Sequence, residues 1–304
     1  SVDDLKAVFV SHQWCARTHP DPEFLQLRVL QNFFRNAAAG TLGIITDRLN
    51  AIIYHAKPSV RRRELQGAMS WYMWYDYFSV PQPDAGDVPP PEYAIMEDNL
   101  GRAVASLAAY VNLCSYFFVL APSVKHDDGH LVEYISWKAR GWCRFERLAR
   151  RLSRNDARML LVQREDTVIE VGAHESVFDP VGTGQFTRET DKERLSSEVR
   201  RLLNSKLQFL YEEKRMEEYR WLMVLHPLLL DGLPMQDADS HFVWSPTKAA
   251  DAGFLRRLCL NSATRACGAT TPLLLASRAG DAEAIRMLLA AKADVHCAER
   301  KNMP

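Results

Sequence analysis

The sequence predicts an α/β fold with a parallel sheet in its first half. Short apolar runs alternate with helical patterns from residue 1 to about residue 165, which is typical of strands joined by crossover helices. The first run, KAVFVS, is apolar almost throughout, as expected for a strand covered on both faces of the sheet. With 304 residues, of which 47% are hydrophobic, the chain can form one large core or two smaller ones.

Four strands are predicted in this half. They are KAVFVS (6–11), SWYMWYDYFSV (70–80), SYFFVLAP (115–122) and ARMLLVQ (157–163). The second is rich in aromatic residues, which favour strands, and Pro81 ends it because proline cannot donate a ladder hydrogen bond. The proline-rich segment 85–91 is predicted to be an exposed loop.

Helices are predicted between these strands, which gives the order βαβαβαβ. They cover residues 21–38, residues 95–112 and the arginine-rich segment 134–152. The first helix is expected to open at Asp21-Pro22, because proline is favoured in the first helical turn.

The pattern changes after residue 163, so we divide the chain into three parts. They are an α/β domain (1–165), an extension with a helical connector (166–250) and a repeat region (251–304). In the second part, DTVIEVG (166–172) predicts an added edge strand, residues 177–187 predict turns, and residues 191–225 show a long helical period with many charges.

The last part carries the most specific pattern of the chain. Its marked residues are Gly268, Thr271-Pro272-Leu273, Ala276, Gly280, Leu288-Leu289 and Ala293-Asp294-Val295. At these spacings the segment resembles an ankyrin repeat, although Leu274 stands where that family usually has histidine and Lys292 where it often has glycine. The resemblance implies an array that binds a protein partner. One repeat cannot bury its own faces, so we expect residues 252–267 to end a capping repeat and the natural protein to continue beyond residue 304. The alternative is an isolated helical hairpin.

Charge and cysteine usage exclude several classes of function. The 38 basic residues equal the 38 acidic ones, so no overall field attracts nucleic acid or an anionic membrane. The longest apolar runs fall short of the roughly 20 residues that span a bilayer. Six cysteines without paired spacing favour reduced thiols and a cytoplasmic location.

The chain has no G-x-G-x-x-G after the first strand and no Walker A motif, so no bound cofactor is predicted.

A single acidic residue, Glu146, lies among the arginines of segment 134–152. Helical spacing places it at the border of the apolar face, within one turn of Trp142, where partial burial would raise its pKa. The alternative is an ion pair with Arg150, which would stabilise the helix by only a few tenths of a kcal/mol.

The surrounding arginines have two interpretations. Helical spacing groups Arg144, Arg147, Arg151 and Arg154 on the outer side of the helix. This side is predicted to be either a solvated face or a surface that binds phosphate or a partner.

Three stretches of the first half match one known family. They are AVFVSHQW at the first strand, CSYFFVLAPS at the third, and SWKARGWCRFERL, in which Glu146 follows Trp142-Cys143 at the family's spacing. Over residues 5–165 the chain resembles a Toll/interleukin-1 receptor (TIR) domain. The resemblance implies a flavodoxin-like sheet and an intracellular signalling module that can form homo-oligomers. It also implies Glu146 as a catalytic residue with NAD as a possible substrate, because the matching glutamate is catalytic in members that hydrolyse NAD.

The sequence departs from the TIR pattern at two places. The loop 11–14 lacks the acidic residue common there, and the run 40–69 is longer than usual. Three alternatives therefore stay open: a non-enzymatic self-associating scaffold, a module similar to heterokaryon-incompatibility domains, and another nucleotide-processing enzyme with a flavodoxin-like sheet.

Open parallel sheets bind ligands at the carboxyl ends of their strands, which predicts the neighbours of Glu146. The predicted substrate-binding residues are Ser11, His12, Trp14, Asp76 and Trp142. For Asp76, hydrogen bonding to loop amides is an equal alternative, and Trp14 is either a packing lid or a stacking platform. Pro122-Ser123 would lie at the same edge of the sheet.

Two further patterns are interpreted as structural. His12, Cys15 and His19 form H-x₂-C-x₃-H, but no fourth ligand is evident, so no metal site is predicted. Cys143 has no histidine base near it in sequence and is interpreted as a core residue.

Overall fold

The structure, a computed structural model, divides the chain into two compact units, residues 1–198 and 199–304. It describes residues 6–53, 55–80, 89–154, 158–172, 179–234, 255, 258–260 and 270–296. Most of the predicted capping repeat (252–267), residues 297–304 and part of the predicted loop 85–91 lie outside the described residues.

Eight strands are described in the first unit. They are β1 (Ala7–His12), β2 (Gly43–Thr46), β3 (Tyr72–Tyr75), β4 (Tyr116–Leu120), β5 (Val124–Lys125), β6 (Leu131–Val132), β7 (Met159–Val162) and β8 (Thr167–Val171). Six of them form one sheet in the order β2-β8-β7-β4-β1-β3, while β5 and β6 form a separate hairpin.

The four predicted strands are the parallel part of this sheet. β1 pairs in parallel with β3 and β4, and β4 pairs in parallel with β7. Numbered along the chain, the four strands have the spatial order 2-1-3-4, which is compatible with a flavodoxin-like sheet. β1 and β4 lie inside the sheet and are buried along nearly their whole length, as their continuous apolar runs predict.

The other two strands of the sheet run in the opposite direction. β8 pairs antiparallel with β7, and β2 pairs in parallel with β8. The segment 166–172 therefore forms a strand as predicted, but it is not an edge strand because β2 covers its outer side. β2 comes from the long run 40–69, and its four residues, GIIT, include two isoleucines.

Eleven α-helices are described. They are α1 (Leu25–Ala39), α2 (Arg48–Ile53), α3 (Arg62–Leu65), α4 (Asp76–Ser79), α5 (Pro90–Leu113), α6 (Tyr134–Ala139), α7 (Gly141–Arg151), α8 (Glu189–Glu212), α9 (Met216–Leu229), α10 (Pro272–Arg278) and α11 (Ala282–Ala290). Short 3₁₀ helices occupy Ala68–Ser70 and Val181–Thr183.

Two helix starts differ from the prediction. α1 begins at Leu25 rather than Asp21, because the Asp21 carboxylate accepts hydrogen bonds from the backbone of Leu25 (2.9 Å) and Leu27 (2.8 Å) and so caps the helix. α5 begins at Pro90 rather than residue 95, since proline is tolerated in the first turn, where its missing N–H has no helical partner.

The prediction of a solvated face is wrong for the arginines within α7, because Arg144 and Arg151 are half-buried and Arg147 is buried; Arg154, beyond the end of the helix, is exposed. Arg147 and Arg150 are each only 1% exposed. Arg147 lies 3.2 Å from the Asp179 carboxylate, and Arg144 donates to the Pro180 carbonyl oxygen (2.9 Å). The segment around the 3₁₀ helix 181–183 covers this side of α7, and the helical period of α7 alone could not reveal it.

The predicted alternative of a Glu146–Arg150 ion pair is also wrong. The Arg150 guanidinium donates to the carbonyl oxygens of Cys114 (2.9 Å) and Ser115 (3.2 Å), where α5 ends and β4 begins. Glu146 is bound by Ser11 instead.

The second unit contains the predicted helical pair. The Thr271 hydroxyl caps α10 by accepting from the Leu274 backbone (3.3 Å), and Pro272 occupies the first helical position. Gly280 (φ +66°) makes the turn to α11, which Asp281 caps. Both an ankyrin repeat and an isolated hairpin predict this geometry, so the ankyrin assignment stays a prediction. Among the described residues of the chain, no helix is both long and apolar enough to cross a membrane.

Candidate functional site

A cavity of about 840 Å³ lies at the carboxyl ends of β1 and β3. Its wall comes from the loop after β1 (12–18), from Asp76 at the start of α4, from one side of α5, from the turn of the β5–β6 hairpin, from α7 and from the segment 185–188. Ligands bind at this edge in open parallel sheets. Five of the six predicted site residues line the cavity: His12, Trp14, Asp76, Trp142 and Glu146.

Ser11 is the sixth predicted site residue. It does not line the cavity itself but contacts Glu146, which does. The Ser11 hydroxyl donates a hydrogen bond to Glu146 Oε2. The same hydroxyl oxygen accepts from Trp137 Nε1 at 3.0 Å, and this fixes the direction in which Ser11 donates. Trp137 and Ser11 are each 1% exposed, so the hydrogen bond between them is shielded from water, whereas Glu146 is half-buried at the cavity wall.

Glu146 has a carboxyl group with a strongly raised pKa. Burial raises the pKa of Glu146 to about 8, the Ser11 hydrogen bond opposes this rise, and the charge of Asp76 adds to it. The carboxyl group is therefore protonated in a large fraction of molecules at neutral pH, and it can gain or lose a proton there.

Asp76 also lines the cavity, and the pKa of its carboxyl group is shifted in the opposite direction to that of Glu146. It accepts from Trp14 Nε1 (2.8 Å), and its other oxygen lies 2.8 Å from His12 Nε2. Burial by itself raises the pKa of Asp76, but His12, Trp14 and the Tyr77 backbone N–H outweigh it, so the pKa lies below its usual value. The site thus pairs an ionised carboxylate with one that titrates near neutrality.

His12 is fixed by contacts on both ring nitrogens. Its Nδ1 lies 3.3 Å from the hydroxyl of Tyr75, and the two rings stack with centroids 4.3 Å apart. Asp76 therefore does not bind loop amides alone: it orients His12 and Trp14 as well, while the amide of Tyr77 also donates to it (2.6 Å).

Trp142 and Cys143 begin the helix that carries Glu146. Trp142 Nε1 donates to Asp191 (2.9 Å), and Trp142 lies partly exposed at the cavity wall. The Cys143 thiol donates to the His12 carbonyl oxygen (3.7 Å). Burial, with the Glu146 charge, raises the pKa of Cys143 well above its usual value, so this thiol stays protonated and is no nucleophile.

Three arginines line the same cavity, and sequence spacing did not single them out as a group. They are Arg17, Arg140 and Arg188. Arg140 donates to the Thr187 hydroxyl (2.7 Å), which ties α6 and α7 to the segment 185–188. The wall also carries the acidic residues Asp76, Asp128 and Glu146, so it has groups of both charges. The planar donors of the arginines suit phosphate oxygens.

We found no matching family model, no matching curated protein and no matching solved structure.

The three residues of the H-x₂-C-x₃-H pattern, His12, Cys15 and His19, contact different partners. His12 contacts Asp76, and His19 Nδ1 accepts from the Asp21 backbone (3.1 Å). Cys15 Sγ lies 2.7 Å from the Gln26 amide nitrogen, and burial raises the pKa of this thiol to about 11.

Pro122 and Ser123 do not join the candidate site. They line a separate depression of about 620 Å³ together with residues 163–166. The carboxyl ends of β4 and β7 therefore border a depression separate from the cavity at the ends of β1 and β3.

Proposed function

We propose that the first unit binds a dinucleotide of the NAD type in the 840 Å³ cavity and cleaves the bond between its ribose and nicotinamide. Glu146 carries this proposal, because its half-buried carboxyl group lies on the cavity wall and has a pKa of about 8, which allows it to change charge near neutral pH. The sequence resemblance to TIR domains supports the same residue. The reaction consumes water and releases nicotinamide, ADP-ribose and a proton.

The proposed role of Glu146 is to stabilise positive charge on the ribose. Cleavage of an N-glycosidic bond passes through an oxocarbenium-like state, which a nearby carboxylate stabilises. The nicotinamide ring of NAD is a cation, so its binding favours the ionised form of Glu146. Ser11 then keeps the carboxylate in place by its hydrogen bond.

Other residues of the cavity wall are suited to bind the diphosphate and the aromatic rings of a dinucleotide. Arg17, Arg140 and Arg188 line the cavity, and guanidinium groups suit a diphosphate. Trp14 and Trp142 offer aromatic faces on which a base or the nicotinamide ring can stack. The volume falls within the range of pockets that enclose ligands of drug size, about 300–1,000 Å³.

The proposed enzyme belongs to a signalling protein in which the C-terminal helices recruit a partner. The helical pair α10–α11 carries the sequence pattern of an ankyrin repeat, and arrays of such repeats bind proteins on their exposed surface. This part of the proposal rests on the sequence resemblance.

The test is nicotinamide release from NAD by a concentrated preparation of the full chain. We expect release by the native protein and a loss of at least about 100-fold in Glu146→Gln, which keeps the shape of the side chain but cannot ionise. Glu23→Gln is the matched control, since Glu23 is exposed. No release by the native chain at any protein concentration would refute the proposal.

A self-associating scaffold is the second candidate, and β3 is the observation that favours it. β3 is an edge of the described sheet, and Tyr72 and Met73 are exposed on it, with Phe78 exposed in α4. Exposed edge strands with apolar side chains favour pairing between chains. If this surface mediates association, Met73→Lys should lower the molecular mass measured by light scattering at high protein concentration, whereas an unchanged mass would exclude the β3 edge.

A further inference from the structure

The turn between β5 and β6 brings two histidines and an aspartate together at the cavity wall. The three side chains are His126, Asp128 and His130, and all three line the cavity that Glu146 lines. One ligand atom from each, an imidazole nitrogen of either histidine and one carboxylate oxygen, lies within 4.8 Å of the other two. The proposed function assigns no role to this cluster.

The distances within the cluster resemble those of a metal-binding triad. Asp128 Oδ1 lies 3.0 Å from His126 Nδ1 and 2.5 Å from His130 Nδ1. Ligand atoms that share a metal ion at about 2.1 Å stand roughly 3 Å apart. A bound ion would therefore need only a small outward shift of the Asp128 carboxylate, which is 60% exposed.

The hairpin holds both imidazoles in the same orientation. The backbone N–H of His126 donates to the His130 carbonyl oxygen (2.9 Å), and the backbone N–H of Gly129 donates to the His126 carbonyl oxygen (2.9 Å). Gly129 supplies the positive φ of +93° that the turn requires. The two rings stack with centroids 4.3 Å apart, and both Nδ1 atoms face the one Asp128 oxygen. The histidines are thus preorganised rather than brought together by a ligand.

The hairpin is also anchored to the loop that follows β1. Val124 and Val132 pack on Cys15 in a small buried cluster. The Asp127 N–H donates to the Cys15 carbonyl oxygen (2.8 Å). Since residues 12–18 of this loop line the cavity, the cluster has a fixed position relative to the rest of the wall.

We propose that His126, Asp128 and His130 bind one divalent transition-metal ion, with its remaining coordination positions open to the cavity. Two imidazoles and one carboxylate suit Zn²⁺, Mn²⁺ or Fe²⁺, whereas Mg²⁺ and Ca²⁺ prefer oxygen ligands alone. His126 Nδ1 also lies 2.6 Å from Asp127 Oδ1, and the ion replaces this contact. Three protein ligands leave positions that oxygens of an anion can fill. On the proposed function, these oxygens belong to the diphosphate of the dinucleotide.

The first experiment measures the metal alone. Zn²⁺ is titrated calorimetrically into the metal-stripped full chain without nucleotide, and Co²⁺ is titrated with its visible absorption as the readout. We expect one ion per chain, and binding at least about tenfold weaker in His126→Ala, His130→Ala and Asp128→Asn. His55→Ala is the matched control, since His55 is an exposed histidine outside the cluster, and its affinity should equal that of the native chain.

Native affinity in the cluster variants, or no ion bound by the native chain, would overturn the proposal. Circular dichroism shows whether each variant is folded. If a variant is not, X-ray absorption of the native Zn²⁺ complex decides instead, with two imidazole ligands expected and fewer than two refuting the site.

A second experiment separates the metal site from the proposed reaction. Zn²⁺ should tighten the binding of ADP-ribose to the native chain and not to His130→Ala. Zn²⁺ binding without nicotinamide release would leave the metal site standing and refute the proposed function. Nicotinamide release by a chain that binds no Zn²⁺ would do the reverse.

Discussion

The hydroxyl of Ser11, near the end of β1, donates a hydrogen bond to the carboxyl group of Glu146 in the middle of α7, 135 residues further along the chain. This contact joins the first strand of the sheet to the helix that covers its edge. It also means that the protonation of Glu146 depends on a residue that does not itself line the cavity. The first two predictions follow from this dependence.

Replacement of Ser11 by alanine should raise the pKa of Glu146 above its value of about 8, because the Ser11 hydrogen bond favours the ionised carboxylate. The titration is measured by carbon NMR of glutamate side chains, with the Glu146 signal assigned from its absence in Glu146→Gln. Ser11→Thr keeps a hydroxyl and should leave the pKa close to the native value. An unchanged pKa in Ser11→Ala would show that the hydrogen bond does not act on Glu146.

Replacement of Asp76 by asparagine should shift the same pKa in the opposite direction. The charge of Asp76 raises the pKa of Glu146, so a neutral side chain of similar shape removes that repulsion. The NMR titration described for Ser11→Ala measures this as well. A rise instead of a fall would mean that loss of the contacts to His12 and Trp14 rearranges the site and outweighs the loss of charge.

Glu146 should also make the stability of the fold depend on pH. Its pKa is raised from the ordinary value of 4.5 to about 8, so the folded state binds its proton more tightly than the unfolded chain does. The stabilisation is fully present below about pH 4.5 and is lost as the pH rises through about 8. Two titratable groups are coupled to Glu146: Asp76 acts on its pKa, and Glu146 acts on that of Cys143. Both add little slope in this range, because the pKa of Asp76 is lowered and that of Cys143 is raised well above its usual value.

The measurement is denaturant unfolding at a series of pH values for the native chain and for Glu146→Gln. The free energy of unfolding of the native chain should fall relative to the variant as the pH rises from about 5 to about 8, since the other groups contribute equally to both. A constant difference between the two proteins would contradict the raised pKa.

Arg150 is expected to stabilise the fold through its hydrogen bonds to the backbone. Its guanidinium group donates to the carbonyl oxygens of Cys114 and Ser115 at the start of β4. Arg150→Met fills similar space but leaves buried acceptors without these donors, so the free energy of unfolding should drop by more than about 2 kcal/mol. The control is Arg28→Met in α1, an exposed position where a change within about 0.5 kcal/mol is expected. Equal stability of the two variants would refute this role of Arg150.

The strands of the parallel sheet could be predicted because each contains a continuous apolar run. The sequence also predicted that Ser11, His12 and Asp76 would lie near Glu146, since the carboxyl ends of neighbouring parallel strands meet at one edge. β2 was missed because it has only four residues, GIIT, too few to show a period that distinguishes a strand from the short helix that follows it. The burial of Arg147 was missed because the residues that cover it, around Asp179, are far away in sequence and have no strand or helix pattern.

Two parts of the wall that sequence reasoning missed come from turns. Arg188 reaches the cavity through the segment 185–188, and His126 through the β5–β6 turn. Turn residues have no periodicity that would point them toward a site. The stretch HDDGH (126–130) did contain a local signal, since a glycine after two aspartates favours a tight turn and so brings the flanking histidines together.

The position of the segment 185–188 depends on a close approach of two glycines. A Cβ added at Gly184 would lie 2.6 Å from the Cα of Gly141, at the start of α7, and 2.9 Å from its nitrogen. Because both obstacles are backbone atoms, Gly184→Ala should force the segment away from α7 and lower the free energy of unfolding by about 1–3 kcal/mol. Gly101→Ala is a matched control of opposite sign, since a Cβ at Gly101 within α5 meets nothing within 4 Å and alanine should stabilise the helix by about 0.5–1 kcal/mol. Denaturant unfolding measures both effects. If Gly184→Ala were as stable as the native chain, the two backbones would not pack this closely, and the cavity wall at 185–188 would have to be held by Arg140 and Thr187 instead.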